Sequence, residues 1–200
     1  MPVQALIFDC DGTLADSMPL HWRAWKQVTE SHGLHFPEDR FYSLGGVPAR
    51  DIVKLLSEEQ GRPIDCGAVA KEKELAFEQL IPQVRVVGLI AKIARDHSGR
   101  LPMAVASGGT RRIVTQMLHH LGIEHLFQAV VVSEDVARQK PAPDIYLEAA
   151  RRLGVAPENC RAYEDTDLGL AAIRAAGMEA VDVRPLLAAG MSPVLADGPV

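Results

Sequence analysis

Val3-Gln4-Ala5-Leu6-Ile7-Phe8-Asp9-Cys10-Asp11-Gly12-Thr13 is an apolar run that stops at two carboxylates and a glycine. Such a run, short and nearly unbroken, predicts a strand over Val3 to Phe8 that is buried on both faces, as in a parallel sheet. In an open parallel sheet the ligand crevice lies outside the carboxyl ends of the strands. Asp9 and Asp11 therefore stand at a reactive address. One residue apart, two carboxylates can converge on a cation, while Gly12 lets the chain turn away at once. A calcium loop starting at Asp9 would need a glycine at its sixth position and a glutamate at its twelfth. Leu14 and Leu20 stand there instead.

Further apolar runs at Met103 to Ser107, Ala129 to Val132, Cys160 to Glu164 and Glu179 to Val183 read as strands. Helical stretches separate them: Thr110 to Leu121, with Ile113, Val114, Met117, Leu118 and Leu121 on one face, then Asp144 to Leu153 and Leu168 to Ala176. Asp144 is the expected cap of the second, and Thr166 or Asp167 of the third. This alternation predicts an α/β fold with a Rossmann-like parallel sheet core. Between Phe8 and Met103 lies far more chain than the roughly one dozen residues a crossover requires. The excess reads as helices over Pro19 to His32, Pro48 to Gln60 and Gly67 to Ile81, a small helical cap inserted into the core. The expected division is core over 1–15 and 85–187, cap over 16–84 and a loosely held tail over 188–200. Ala15 to Pro19 and Pro82 to Val86 are the expected hinges.

Ser107 ends the second of these strands and is followed by Gly108, Gly109 and Thr110 before a helix, so a hydroxyl and free backbone N–H groups meet where phosphate binds well. Lys140 lies in Lys140-Pro141-Ala142-Pro143-Asp144, where two prolines stiffen the chain and can hold the lysine as a fixed charge. Glu164 and Asp165 end the fourth strand. Each group alone is accounted for by ordinary helix capping or a solvated side chain. Independent capping would not set all of them at the ends of different strands of one sheet. Four carboxylates in one crevice repel, since a like-charged pair about 4 Å apart costs roughly 4 kcal/mol at an effective dielectric of 20. A divalent cation relieves this, and oxygen-only donors favour Mg2+ over zinc.

Composition narrows the function classes. Apolar residues make up 48% of the 200-residue chain and charged residues 24%, ordinary values for a globular protein. The formal charge of -5 opposes a polyanionic partner, so no nucleic acid is expected. No stretch approaches the roughly 18 apolar residues of a membrane span, and the first apolar run lacks a basic leader, so no membrane partner is expected either. Cys10, Cys66 and Cys160 lack metal-ligand spacing and are expected as free thiols of a soluble, cytoplasmic protein.

Asp9-Cys10-Asp11-Gly12-Thr13-Leu14, Ser107, Lys140-Pro141 and Glu164-Asp165 resemble, in order, the motifs of the haloacid dehalogenase superfamily, over residues 1 to about 187. The insert resembles the helical cap of the subgroup containing β-phosphoglucomutase and many sugar-phosphate phosphatases. His21-Trp22-Arg23-Ala24-Trp25 and the stretch Ala176 to Arg184 are similar to bacterial phosphatases of the fructose 1-phosphate and 6-phosphogluconate type. The resemblance implies that Asp9 attacks phosphorus and forms an aspartyl phosphate, with Asp11 as acid and base. It implies that Ser107, the Gly108 N–H and Lys140 bind phosphate, and that Mg2+ sits among Asp9, Asp11 through its carbonyl, Glu164 and Asp165. Gly169, where a common family pattern has Asp, departs from it; Glu164 is the expected substitute for that charge. Asp11 weighs against dehalogenation, because a departing halide needs no acid.

The cap is expected to select a small phosphorylated metabolite. His21, Arg23, Gly45 and Arg50 are its candidate specificity residues, whereas Trp22 and Trp25 read as cap core. In the mutases of this subgroup the loop corresponding to Leu44-Gly45-Gly46-Val47 carries a lysine. Gly45 therefore favours hydrolysis, with β-phosphoglucomutase as the alternative. A non-catalytic phosphate-binding relative would be expected to have lost the nucleophile or Asp11, and both are present. A monomer is expected.

Overall fold

The computed structural model describes residues 2–189. In chain order its elements are β1 (Ala5–Phe8), β2 (Ala15–Asp16), α1 (Met18–Ser31), α2 (Glu38–Ser43), α3 (Ala49–Glu59), α4 (Cys66–Glu78), β3 (Arg85–Val86), α5 (Gly88–His97), β4 (Met103–Ala106), α6 (Arg111–His120), β5 (Ala129–Val131), α7 (Asp144–Leu153), β6 (Cys160–Glu164), α8 (Asp167–Ala175), β7 (Glu179–Asp182) and α9 (Arg184–Ala188).

β1 is the middle strand of a five-stranded parallel sheet of order β5-β4-β1-β6-β7. Its side chains alternate between two cores. Leu6 and Phe8 join Met103, Val105, Ile90, Val114 and Met117 on one face, while Ala5 and Ile7 join Ala104, Ala106, Ile145, Ala149 and Ile173 on the other. A strand walled in on both sides has no polar positions, which is why the run from Ala5 to Phe8 is unbroken. Phe8 stacks on Tyr163 of the neighbouring strand at 4.9 Å between ring centroids.

Helices α1 to α4 build a core of their own from Trp25, Val28, Phe36, Phe41, Val53, Leu56 and Val69. Trp25 is buried there, and the half-buried Trp22 packs on Phe36 and Phe41 of the same core. Where the chain leaves and rejoins the sheet, β2 and β3 pair antiparallel, with Ala15 opposite Val86 and Asp16 opposite Arg85. The segments expected to be plain hinges are thus tied to each other.

Several elements differ from expectation. α2, α5 and α9 and the β2–β3 ribbon are additional. Asp144 does not cap α7: Pro143 holds the cap position, and Asp144 is the first helical residue, accepting from Arg138 Nη2 at 2.9 Å. Thr166 does cap α8, accepting the Gly169 N–H at 3.1 Å. Of the expected tail, residues 190–200 lie outside the described residues, and α9 spans Arg184–Ala188. The three cysteines are unpaired, and no described helix is long and apolar enough to cross a membrane.

Candidate active site

A crevice of about 370 Å³ lies between the sheet's carboxyl edge and the helical insert. Asp9, Asp11, Ser107, Gly108, Lys140 and Glu164 from the sheet side line it, together with His21, Gly45 and Arg50 from the insert. Arg23 does not. Its guanidinium donates to Gln83 Oε1 at 2.7 Å on the exposed side of α1, two residues from His21 and therefore on another face of the helix.

The buried Lys140 ammonium joins two carboxylates, donating to Asp9 Oδ1 and Glu164 Oε2, each at 2.6 Å. The Tyr146 hydroxyl donates to Glu164 Oε2 at 2.7 Å, and the Thr166 N–H and hydroxyl donate to Oε1 at 2.9 and 2.8 Å. Both oxygens of Glu164 are thus held by the protein. Thr13 Oγ1 donates to Asp165 Oδ1 at 2.9 Å. Burial acts against the charge on Lys140, but Asp9 and Glu164 beside it outweigh that and push its pKa well up.

Asp9, Glu164 and Asp165 offer carboxylate oxygens that all lie within 4.8 Å of one another. Burial and then the Glu164 charge push the Asp9 carboxyl well above the usual carboxylate range, and the same two causes raise Asp165 to about 7. Three acids share one ammonium, which leaves two negative charges unbalanced, so further positive charge is needed to keep all three ionised. An all-oxygen donor set with this surplus fits a hard divalent cation such as magnesium. Gly12, with φ +83°, makes the approach possible: a Cβ there would stand 2.7 Å from Asp165 Cγ.

The carboxylate of Asp11 is not part of this trio. It faces the insert, where Oδ1 accepts from Ser17 Oγ at 2.6 Å and from His21 Nε2 at 2.9 Å. His21 Nδ1 in turn accepts from Lys73 Nζ at 2.8 Å. A charged lysine can only donate, so the imidazole proton sits on Nε2 and the chain runs Lys73 to His21 to Asp11. Phe77 stacks beneath the imidazole at 3.6 Å between centroids. Burial works to raise the Asp11 pKa, but His21 and Ser17 overcome it and hold it at about 2. Burial and then the Lys73 charge lower the His21 pKa, while burial brings Lys73 down to about 8.

Lys73, Ser17, Thr13 and Tyr146 are absent from the sequence-based set of site residues. Lys73 carries a readable signal: Val69, Ala70, Lys73 and Phe77 share the buried face of α4, so the lysine replaces an apolar residue in a helical stripe. Ser107 is buried and its Oγ accepts the Gly109 N–H at 3.1 Å. A Cβ on Gly109 would stand 3.8 Å from Asp11 Oδ2, which sets the turn before α6 beside that carboxylate. From the insert, Gly45 and Gly46 seat against Thr166, each within 3.3 Å of its side chain when a Cβ is added.

Residues 6–183 match the haloacid dehalogenase-like hydrolase family. The chain is 42% identical over 182 residues to the fructose-1-phosphate phosphatase YqaB of Escherichia coli strain K12, covering 90% of this chain and 96% of that protein. It is 32% identical to a phosphorylated carbohydrates phosphatase of Thermotoga maritima, covering 90% of this chain and 84% of that one. A β-phosphoglucomutase of Clostridium difficile has a similar structure, with a TM-score of 0.82 and 26% identity over 90% of this chain and 84% of that one. With the family match spanning β1 to the end of β7, the chain belongs to the haloacid dehalogenase-like hydrolases.

Proposed function

We propose that this protein is a magnesium-dependent phosphatase of small sugar phosphates, working through a phosphorylated Asp9. The observation that carries the reading is the division of labour between two acids one residue apart. Asp9 is fixed by Lys140 inside the acidic trio, whereas Asp11 is turned toward the insert and held by Ser17 and His21. A nucleophile and an acid–base group need these different surroundings.

Asp9 attacks phosphorus, forming an acyl phosphate while the bond from phosphorus to the sugar oxygen breaks. Asp11 gives its proton to that departing oxygen. Water then attacks phosphorus, Asp11 takes the water's proton, and the Asp9–phosphorus bond breaks to release inorganic phosphate. Without substrate, His21 and Ser17 keep Asp11 ionised; an arriving phosphate dianion raises its pKa, because a like charge disfavours the ionised form, and Asp11 takes up a proton from solvent before the bond to the sugar oxygen breaks. Ser107 and the Gly108 N–H hold phosphoryl oxygens, and Lys140 neutralises charge beside Asp9. Asp9, Asp165 and the Asp11 carbonyl, with Glu164 behind them, would hold magnesium, which would supply positive charge beside the phosphate.

Release to water, and not return to the sugar, is supported by the insert. A mutase must hold a second phosphate on its substrate. Among the described residues lining the crevice, Lys140 and Lys73 are engaged by Asp9 and His21, which leaves only the exposed Arg50, and Gly45 brings no charge. The phosphatase YqaB, named for fructose 1-phosphate, and the carbohydrate phosphatase of Thermotoga maritima support the same reading. The test is incubation with magnesium and, separately, fructose 1-phosphate, 6-phosphogluconate and β-glucose 1-phosphate, measuring free phosphate and glucose 6-phosphate. Free phosphate is expected. Rapid glucose 6-phosphate with little free phosphate would establish a mutase instead, and no turnover of any ester would point to a binding protein.

A further inference from the structure

Glu74 lines the crevice one residue beyond Lys73 on α4 and has no part in the chemistry above. It is half-buried. Burial raises its carboxyl pKa, and Glu134 adds to this while Lys73 and Arg112 oppose it. Both of those cations are engaged elsewhere: Lys73 donates to His21, and Arg112 pairs with Glu78, its Nε donating at 2.8 Å. Among the described residues Glu74 has no ion-pair or hydrogen-bond partner. A half-buried carboxylate with no protein partner has its acceptor sites free for a ligand bearing proton donors. Arg50 is the one other charged side chain of the crevice left unengaged among the described residues, and it is exposed. Apolar Met18, Trp25 and Phe41 supply much of the remaining wall on the insert side.

We infer that Glu74 is the specificity residue of this crevice: it accepts hydrogen bonds from substrate hydroxyls and repels a second anionic group, so the substrate class is the monophosphate of an uncharged polyhydroxy compound. The inference rests on the phosphatase reading and sharpens it. A sugar hydroxyl brings Glu74 a proton and no charge, whereas a second phosphate or a carboxylate brings only acceptors and negative charge. Arg50 offsets little of that repulsion, because an exposed cation acts through solvent of high dielectric. Between the two candidate substrates of the family's similar branch, this favours fructose 1-phosphate over 6-phosphogluconate, which carries a carboxylate.

The test compares kcat/KM with magnesium on fructose 1-phosphate, fructose 1,6-bisphosphate and 6-phosphogluconate for the wild type and Glu74→Gln. The wild type is expected to favour fructose 1-phosphate by about 100-fold, and Glu74→Gln, which keeps an acceptor but loses the charge that repels a second anion, to shrink that preference about tenfold or more through KM. The same three compounds titrated calorimetrically into Asp9→Asn, with and without Glu74→Gln, read selectivity without turnover. Phosphate release with a preference that Glu74→Gln leaves unmoved, or a wild type that favours either doubly anionic substrate, overturns the inference and spares the phosphatase. No release from any compound, with the binding order as expected and reduced by Glu74→Gln, overturns the phosphatase reading and leaves the role of Glu74 standing. Equal binding of all three in both backgrounds overturns the inference.

Discussion

Gly169 and Glu164 share one volume. A Cβ on Gly169 would stand 2.5 Å from Glu164 Cγ and fall still closer to its Cδ and Oε2. The Glu164 side chain therefore lies where a side chain of residue 169 would be, and the two positions are coupled: a long acid at 164 requires glycine at 169. This explains why the chain lacks the aspartate of a common family pattern four residues after Asp165. Gly169→Ala should push Glu164 off Lys140 and Tyr146, with a stability loss of about 3 kcal/mol, the scale of a broken buried ion pair. Urea unfolding reads the loss, and calorimetric Mg2+ titration should show affinity down about tenfold. Moving the acid, by Glu164→Ser with Gly169→Asp, should restore most of the Mg2+ affinity. Gly169→Ala with wild-type stability and Mg2+ affinity would refute the coupling.

Lys73 reaches Asp11 only through His21, so its removal should affect proton transfer more than binding. Lys73→Met is expected to lower kcat on fructose 1-phosphate by about 100-fold, the lower end for a general acid–base group, with KM changed about threefold or less. Burial brings the Lys73 pKa to about 8, so the ammonium that fixes the His21 tautomer is lost as pH rises through that value. The kcat profile should fall above pH about 8, and Lys73→Arg, which stays charged, should move that limb upward. An alkaline limb that stays in place in Lys73→Arg would assign it to another group.

The parts of this fold legible in the sequence are those whose burial leaves no choice of residue. β1 and β4 are walled in on both faces, so they appear as bare apolar runs, and the polar residues that follow them mark the sheet's carboxyl edge. The six residues of α2 are too few to display a 3.6-residue period, and the two-residue strands β2 and β3 have no pattern at all. Asp9, Lys140 and Glu164 are readable because each ends or follows a strand of its own. Lys73 is marked only as a charge interrupting the apolar stripe of α4; its partner His21 lies 52 residues away, and only packing reveals the pair. Arg23 reads like a site residue from its closeness to His21, but the helix turns it to the other side.

Magnesium should stabilise the protein more at neutral than at acid pH. Burial and Glu164 raise the folded-state pKa of Asp165 from 3.8 to about 7, with Asp9 raised as well. An acid whose folded pKa exceeds its unfolded value binds more protons when folded, so the metal-free protein loses stability as pH rises from about 4 to about 7. The loss should be about 2 kcal/mol after allowing for the partial exposure of Asp165. Urea unfolding in EDTA at pH 5 and pH 7.5 measures it, and 10 mM magnesium should abolish most of the difference. A metal-free protein more stable at pH 7.5 than at pH 5 would contradict the raised carboxyls.

Asp9→Asn separates chemistry from stability. The amide keeps the shape of the carboxylate but cannot attack phosphorus, so phosphate release should fall by about 10⁴-fold or more. Lys140 keeps Glu164 as its partner at 2.6 Å, and the repulsion that raises Asp9 disappears with its charge. Without magnesium the variant should therefore be as stable as the wild type or more so, by about 1 kcal/mol, the range in which a buried charge is replaced without loss. With magnesium the order should reverse, because the variant has lost a ligand of the trio and gains less from the metal. Melting both proteins with and without magnesium reads this crossing. A variant that stays active would exclude Asp9 as the nucleophile, and one much less stable even in EDTA would mean that Asp9 also holds the sheet edge together.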